Sequence, residues 1–142
     1  FRKLLARCWV EADLLQAAFA KVKAIADSLN LPCYWPNVAA PAAPANVHLR
    51  ISVLPTTPQV LTICSGGSRY QWILQVAVWV RDGVGAIVPA QYIDSIRSAI
   101  PYNTVLTSSH GFKSIAAGEV LPTIAADGWY STPVQFRLQT VY

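Results

Sequence analysis

Cys64 to Arg69 reads CSGGSR, a cysteine and an arginine on either side of a Gly-Gly loop. A thiolate nucleophile that rings a phosphate with backbone N–H groups uses residues of these types. That chemistry also needs a longer spacer than the four residues found here, a His ahead of the Cys and a helix starting at the Arg. The stretch is therefore predicted to be a hairpin tip. His48 and His110 have neither H-x-x-x-H nor H-x-E spacing, so a metal would have to gather its ligands from scattered segments. Ser109 and His110 are adjacent in sequence, which is not a nucleophile–base geometry. Of the seven carboxylates, Glu11, Asp13 and Asp27 fall on a charged helix side and Asp94 on a second helix. Asp82 and Asp127 sit in Asp-Gly turns, and Glu119 is expected in a turn after Gly118. No pair is placed for acid–base work, and no phosphate-binding G-x-x-x-x-G-K-[ST] loop or G-x-S-x-G elbow occurs. No catalytic residue, cofactor or metal site is expected, and no enzyme.

With chemistry set aside, the composition raises a different question. Charged residues make up only 13% of the 142, about half the roughly 25% of an ordinary soluble protein. Apolar residues reach 54%. Either a membrane or other protein must cover that surface. The longest uncharged run, Ser28 to Leu49, contains Pro32, Pro36, Pro41 and Pro44, which an unkinked spanning helix does not accommodate. The run from Ile51 to Ser68 is broken by Pro55, Pro58 and Gly66-Gly67. No signal peptide opens the chain, and the lack of Met places the initiator ahead of Phe1. Burial in an assembly is the better account. The net charge of +4 comes from scattered residues without a nucleic-acid motif. Cys8, Cys33 and Cys64 are odd in number and form no C-x-x-C, so they read as reduced intracellular thiols. The length suits one domain over 1–142.

Leu5, Cys8, Ala12, Leu15, Phe19, Val22, Ala26 and Leu29 recur at spacings of three and four, which predicts a helix from Arg2 to Leu29. The proline-rich LNLPCYWPNVAAPAAPANV is an extended connector with Tyr34 and Trp35 as packing anchors. VHLRISVLP alternates as a strand that Pro55 ends, with His48, Arg50 and Ser52 pointing away from the core. A long neutral hairpin around Gly66-Gly67 leads to a strand, RYQWILQVAVWVR, that stops at Asp82-Gly83. Pro89 opens a second helix carrying Tyr92, Ile93, Ile96, Ala99 and Ile100 on its apolar side, ending at Pro101. Strands are expected at Thr104–Thr107, Phe112–Ala116 and Val120–Ala125. After the Asp127-Gly128 turn comes a last strand, WYSTPVQFRLQTVY, placed by Pro133 at or near a sheet edge.

This order predicts an α+β two-layer domain, a mostly antiparallel sheet with a long N-terminal helix and a shorter second helix on one face. The opposite face collects His48, Arg50, Ser52, Gln71, Gln75, Trp79, Arg81, Gln135, Arg137 and Gln139. None of these is acidic. Solvated β faces carry Lys and Glu, whereas protein interfaces are enriched in Arg and aromatics. This face is expected to meet a neighbouring subunit or line a channel.

The amphipathic helix, LPCYWPNVAAP, VHLRISVLP, RYQWILQVAVWVRDGVG, AQYIDSIRSAIP and the closing GWYSTPVQFRLQTVY follow an order that resembles tail-terminator-like proteins of long-tailed, non-contractile bacteriophages. The chain departs from that pattern in its Arg81-Asp82-Gly83 turn, where a proline is expected, and in a longer AAPAAPA stretch. The resemblance implies a structural virion protein. Its subunits, six by this analogy, would form a ring at the head-proximal end of the tail. The ring would stop tail-tube polymerisation and join the tail to head-completion proteins of the neck, with DNA only in transit. Assembly would take place in the host cytoplasm, without a membrane. A tail-tube or head–tail connector subunit is the alternative, and a monomeric ligand-binding domain the third reading. The loop residues Val60, Leu61, Ile63, Ser65 and Arg69, with Tyr34 and Trp35, are expected to contact tube or neck.

Overall fold

In the computed structural model the first helix, α1, runs from Val10 to Leu29. The residues described are 10–36, 46–56, 59–60, 68–83, 85, 87–106 and 112–141. Ala and Leu positions favour the helix throughout, and it closes on Asn30, whose φ of 54° starts the left-handed cap. Asn30 N–H donates to the Asp27 carbonyl and Leu31 N–H to the Ala26 carbonyl, the paired bonds of a Schellman stop. The buried stripe is Leu14, Ala17, Ala18, Val22, Ile25 and Ala26. This corrects the expected phase: Ala12 is exposed, Leu15 and Phe19 are half-buried, and Leu5 and Cys8 lie outside the described residues. Two apolar rows run side by side on this helix and share Val22 and Ala26, so spacing alone does not choose between them. The row with the smaller Ala17 and Ala18 takes the centre. Phe19 is left at the margin, 5.1 Å from the Trp35 ring.

The strands are β1 (Cys33–Tyr34), β2 (Val47–Pro55), β3 (Gln59–Val60), β4 (Ser68–Arg81), β5 (Lys113–Ser114), β6 (Glu119–Val120), β7 (Ile124–Ala126) and β8 (Trp129–Val141). They form one sheet in the order β1-β2-β4-β8-β5, with β3 extending β4 and with β6 and β7 along the outer side of β8. Among the described strands, β1 with β2 is the parallel pair. The second helix, α2 (Ile87–Ala99), carries Pro89 in its first turn and buries Ile93 and Ile96. Both helices pack on the same sheet face. Their buried residues form a single cluster with Leu49, Ile51, Trp72, Leu74, Val76, Val78, Val134, Phe136 and Leu138. The α+β two-layer architecture is the expected one.

The β7–β8 hairpin uses the Asp127-Gly128 pair at φ 53° and 78°, a primed turn that matches strand twist. Further out, three expected strands shorten. Thr104–Thr107 contributes one bridge, Val105 to Lys113, with Thr107 outside the described residues. Phe112–Ala116 reduces to β5, and Val120–Ala125 splits into β6 and β7. Pro133 is not at an edge: it lies within β8, opposite Ala77 of β4. Its carbonyl accepts from Leu121 N–H at 2.9 Å on the outer side. A strand residue's N and O point the same way, so the missing N–H also faces outward, away from β4. There the register slips by one residue between the Val120–Val134 and Ile124–Ser131 pairs, and Pro122 interrupts the ladder. The bulge tolerates a proline that a continuous ladder would reject.

Candidate functional site

The strands present a second face on which neither described helix packs. Cross-strand register places residues on it row by row: His48 opposite Trp79, Arg50 opposite Ala77, Ser52 opposite Gln75 and Leu54 opposite Ile73. Across the other side of β4, Gln71 faces Gln139, Ile73 faces Arg137, Gln75 faces Gln135 and Arg81 faces Trp129. All ten residues assigned to this surface from the sequence therefore share one face: His48, Arg50, Ser52, Gln71, Gln75, Trp79, Arg81, Gln135, Arg137 and Gln139.

One end of the face is aromatic and cationic. His48 has ring centroids of Tyr34 at 4.7 Å, Trp129 at 5.1 Å and Trp79 at 6.0 Å around it. It is fully buried, although its alternation put it outward with the exposed residues. Large rings on three neighbouring strands close over it, which a single-strand pattern does not reveal. Arg50 lays its guanidinium over Trp79 at 4.3 Å and donates from Nε to His48 Nε2 at 3.2 Å. Arg81 lies over Trp129 at 4.5 Å. These cation–π contacts hold the arginines in place over the indole rings.

The rest of the face is a glutamine ladder. Gln71 Nε2 donates to Gln139 Oε1 at 3.1 Å, and Gln135 Nε2 to Gln75 Oε1 at 3.4 Å. Each rung leaves amide donors and acceptors for another surface. No described carboxylate lies within ion-pair distance of Arg50, Arg81, Lys113 or Arg137; the ion pair that forms, Lys23 with Asp27 at 3.7 Å, is on the outside of α1. The arrangement is built for contact: preorganised cations, broad aromatic faces and half-used amides, which suit burial against protein.

A family model described as phage tail terminator protein matches residues 13–137. The chain belongs to the phage tail terminator family. It is therefore a structural component of a phage tail and of the virion, from a family that is structural rather than enzymatic. A solved structure whose name states no function superposes with a TM-score of 0.71 at 22% identity, covering 91% of this chain and 94% of its own. A protein from the virion of a native gene transfer agent particle superposes at 0.64 with 13% identity, covering 94% and 98%. These likenesses show the fold. No curated protein matches.

The remaining residues singled out in the sequence fall in different places. Tyr34 is not a loop residue: it pairs in register with Arg50 and joins the outer face, because β1 docks beside β2. Trp35 packs against the core instead of projecting. Val60 and Arg69 belong to the β3–β4 hairpin backbone, while Leu61, Ile63 and Ser65 lie outside the described residues. Trp129, opposite Arg81, also lies on this face, with the alternation of Ser131, Gln135 and Arg137 along β8. Glu119 is on the outer face opposite Gln135 and not in a turn, so the face includes one acid at its β6 margin. Cys33, on the helix side, is half-buried; burial pushes its thiol up to about 11, with Lys23 opposing.

Proposed function

We propose that this tail terminator assembles into a ring, of six subunits by family analogy, that caps the head-proximal end of the tail tube. The ring halts tube polymerisation and offers its far side to the head-completion proteins of the neck, leaving a central passage for DNA. Residues 1–142 act as one unit, assembled in the host cytoplasm. The observation that carries this reading, given the family, is the outer sheet face. It holds two Arg–Trp cation–π contacts and a glutamine ladder, and neither described helix packs on it. The arginine N–H edges and half-used amides of this face offer hydrogen bonds that a covering subunit can complete. A cyclic ring uses two different patches on each subunit, so a chain with few charges has surface to bury. The segment between β3 and β4 is proposed to reach the tube or the neck.

The test is tube growth. Purified protein added to polymerising tail-tube subunits should give short tubes with one blunt, capped end in electron micrographs. Unchanged tube length at saturating protein would contradict the capping role. Incorporation along the whole tube would favour the tube-subunit alternative.

A further inference from the structure

His48 and Arg50 stand two residues apart on β2 and are bonded to each other across the outer face: Arg50 Nε donates to His48 Nε2 at 3.2 Å. Arginine is a donor only, so His48 Nε2 holds a lone pair, and the imidazole is neutral with its proton on Nδ1. The ring is fully buried and enclosed by Tyr34, Trp79 and Trp129. The same bond orients the guanidinium that lies 4.3 Å over Trp79. The titratable or charged groups that face His48 are Tyr34 from β1, Arg50 from its own strand and, past the two indoles, Arg81 from β4. Asp82 and Asp127 lie in the exposed turns beyond Arg81 and Trp129.

We propose that this pair is an acid-released latch: protonation of His48 frees Arg50 from its place over Trp79 and opens the aromatic end of the outer face. A proton on Nε2 turns the acceptor into a donor that faces a donor. It also sets an imidazolium against a guanidinium at hydrogen-bond distance, in a site that water does not reach. Burial raises the cost of charging the ring further. Aromatic faces attract a cation, but Trp79 already holds Arg50. Arg50 is the half-buried member of the pair, so it is the one that moves. The open cluster takes up a proton that the closed one refuses, so the closed form is kept at neutral pH and lost as pH falls. Where a neighbouring subunit covers this face, its contact with the ordered Arg50 is lost in the same step. That consequence rests on the ring reading and adds to it a dependence on pH.

The chain has two histidines, His48 and His110, so proton uptake between about pH 7 and 5 is assigned by substitution. Near-ultraviolet circular dichroism reads the packing of the indoles, and sedimentation velocity reads self-association. As pH falls through that window, wild type should lose near-ultraviolet signal reversibly while its far-ultraviolet spectrum holds. Self-association should weaken by up to about tenfold per pH unit for one proton per subunit. His48→Gln, which keeps a neutral acceptor for Arg50, should hold both readings level, and His110→Gln should follow wild type. Nitrogen-15 NMR of wild type needs no variant: at neutral pH His48 should carry its proton on Nδ1 alone. A proton on Nε2 at neutral pH, level wild-type signals, or the same loss in His48→Gln overturns the latch. A wild type that is monomeric at neutral pH yet shows the His48-dependent change in near-ultraviolet signal overturns the ring reading and supports the latch.

Discussion

Trp72 and Trp79 lie on the same strand, an odd number of residues apart, and so on opposite faces; replacing each by Glu asks whether those faces differ as argued. Trp72 is 3% exposed and packs edge-on to Phe112 at 5.4 Å within the helix-covered core. Deleting such an indole costs about 3–5 kcal/mol. The carboxylate left there adds a desolvation penalty of several kcal/mol more. Against a typical total stability of about 5–15 kcal/mol, the chain should fail to fold. Trp79 is half-buried and loses chiefly its stack with Arg50 and its contact with His48, about 0.5–2 kcal/mol for the cation–π part. The new carboxylate would have Arg50 beside it, which offsets part of the loss. Urea titration followed by circular dichroism should therefore show an unfolded Trp72→Glu and a folded, mildly destabilised Trp79→Glu. Sedimentation should show the second as monomeric at concentrations where wild type assembles. An unfolded Trp79→Glu would mean that the aromatic end is a second core, and normal assembly of it would remove that face from the interface.

Gln75→Glu keeps the acceptor that Gln135 uses at 3.4 Å, so its melting temperature should stay within a few degrees of wild type. Its self-association should fall by at least tenfold, since an unpaired buried charge costs about 3–5 kcal/mol; sedimentation measures this. Gly118→Ala would place a methyl 2.6 Å from Phe136 Cε1 and 3.1 Å from Cζ, against a ring that is fully buried. Overpacking of this kind should cost about 1–3 kcal/mol by chemical denaturation, and a neutral result would show that β6 shifts freely. Cys33, with its thiol pushed up to about 11, should alkylate with iodoacetamide ever faster as pH rises from 8 to 11. Because the unfolded thiol ionises earlier, near 9, folding stability should decline as pH rises through that same window. Mass spectrometry of the Cys33 peptide and denaturation at each pH check both.

The long elements were legible because their signals are strictly local. The alternation in RYQWILQVAVWVR and WYSTPVQFRLQTV assigns each residue to a face, while the register between β4 and β8 comes from the fold. Pro55, Pro101 and the two Asp-Gly turns end their elements where the sequence places them. What stayed hidden depends on neighbours distant in sequence. The phase of α1 was ambiguous because its two apolar rows share Val22 and Ala26, and only the sheet selects one. Pro133 reads as an edge residue in isolation, yet the bulge opposite Thr132 and Pro133 lets it sit inside β8. His48 reads as an outward polar residue, and its burial comes from Tyr34, Trp79 and Trp129 on three other strands. Much of the candidate face, Trp129 included, could be assembled from alternation, but Tyr34, Lys113 and Glu119 join it only through pairings that the sequence does not show.

The most direct test of the account is an electron-microscopy reconstruction of tail tubes capped by this protein, resolved well enough to place side chains. The account predicts a closed ring at one tube end in which Trp79, Arg50 and the glutamine ladder of each subunit are covered by the next subunit. A ring whose outer sheet faces stand open to solvent or line the channel would contradict it.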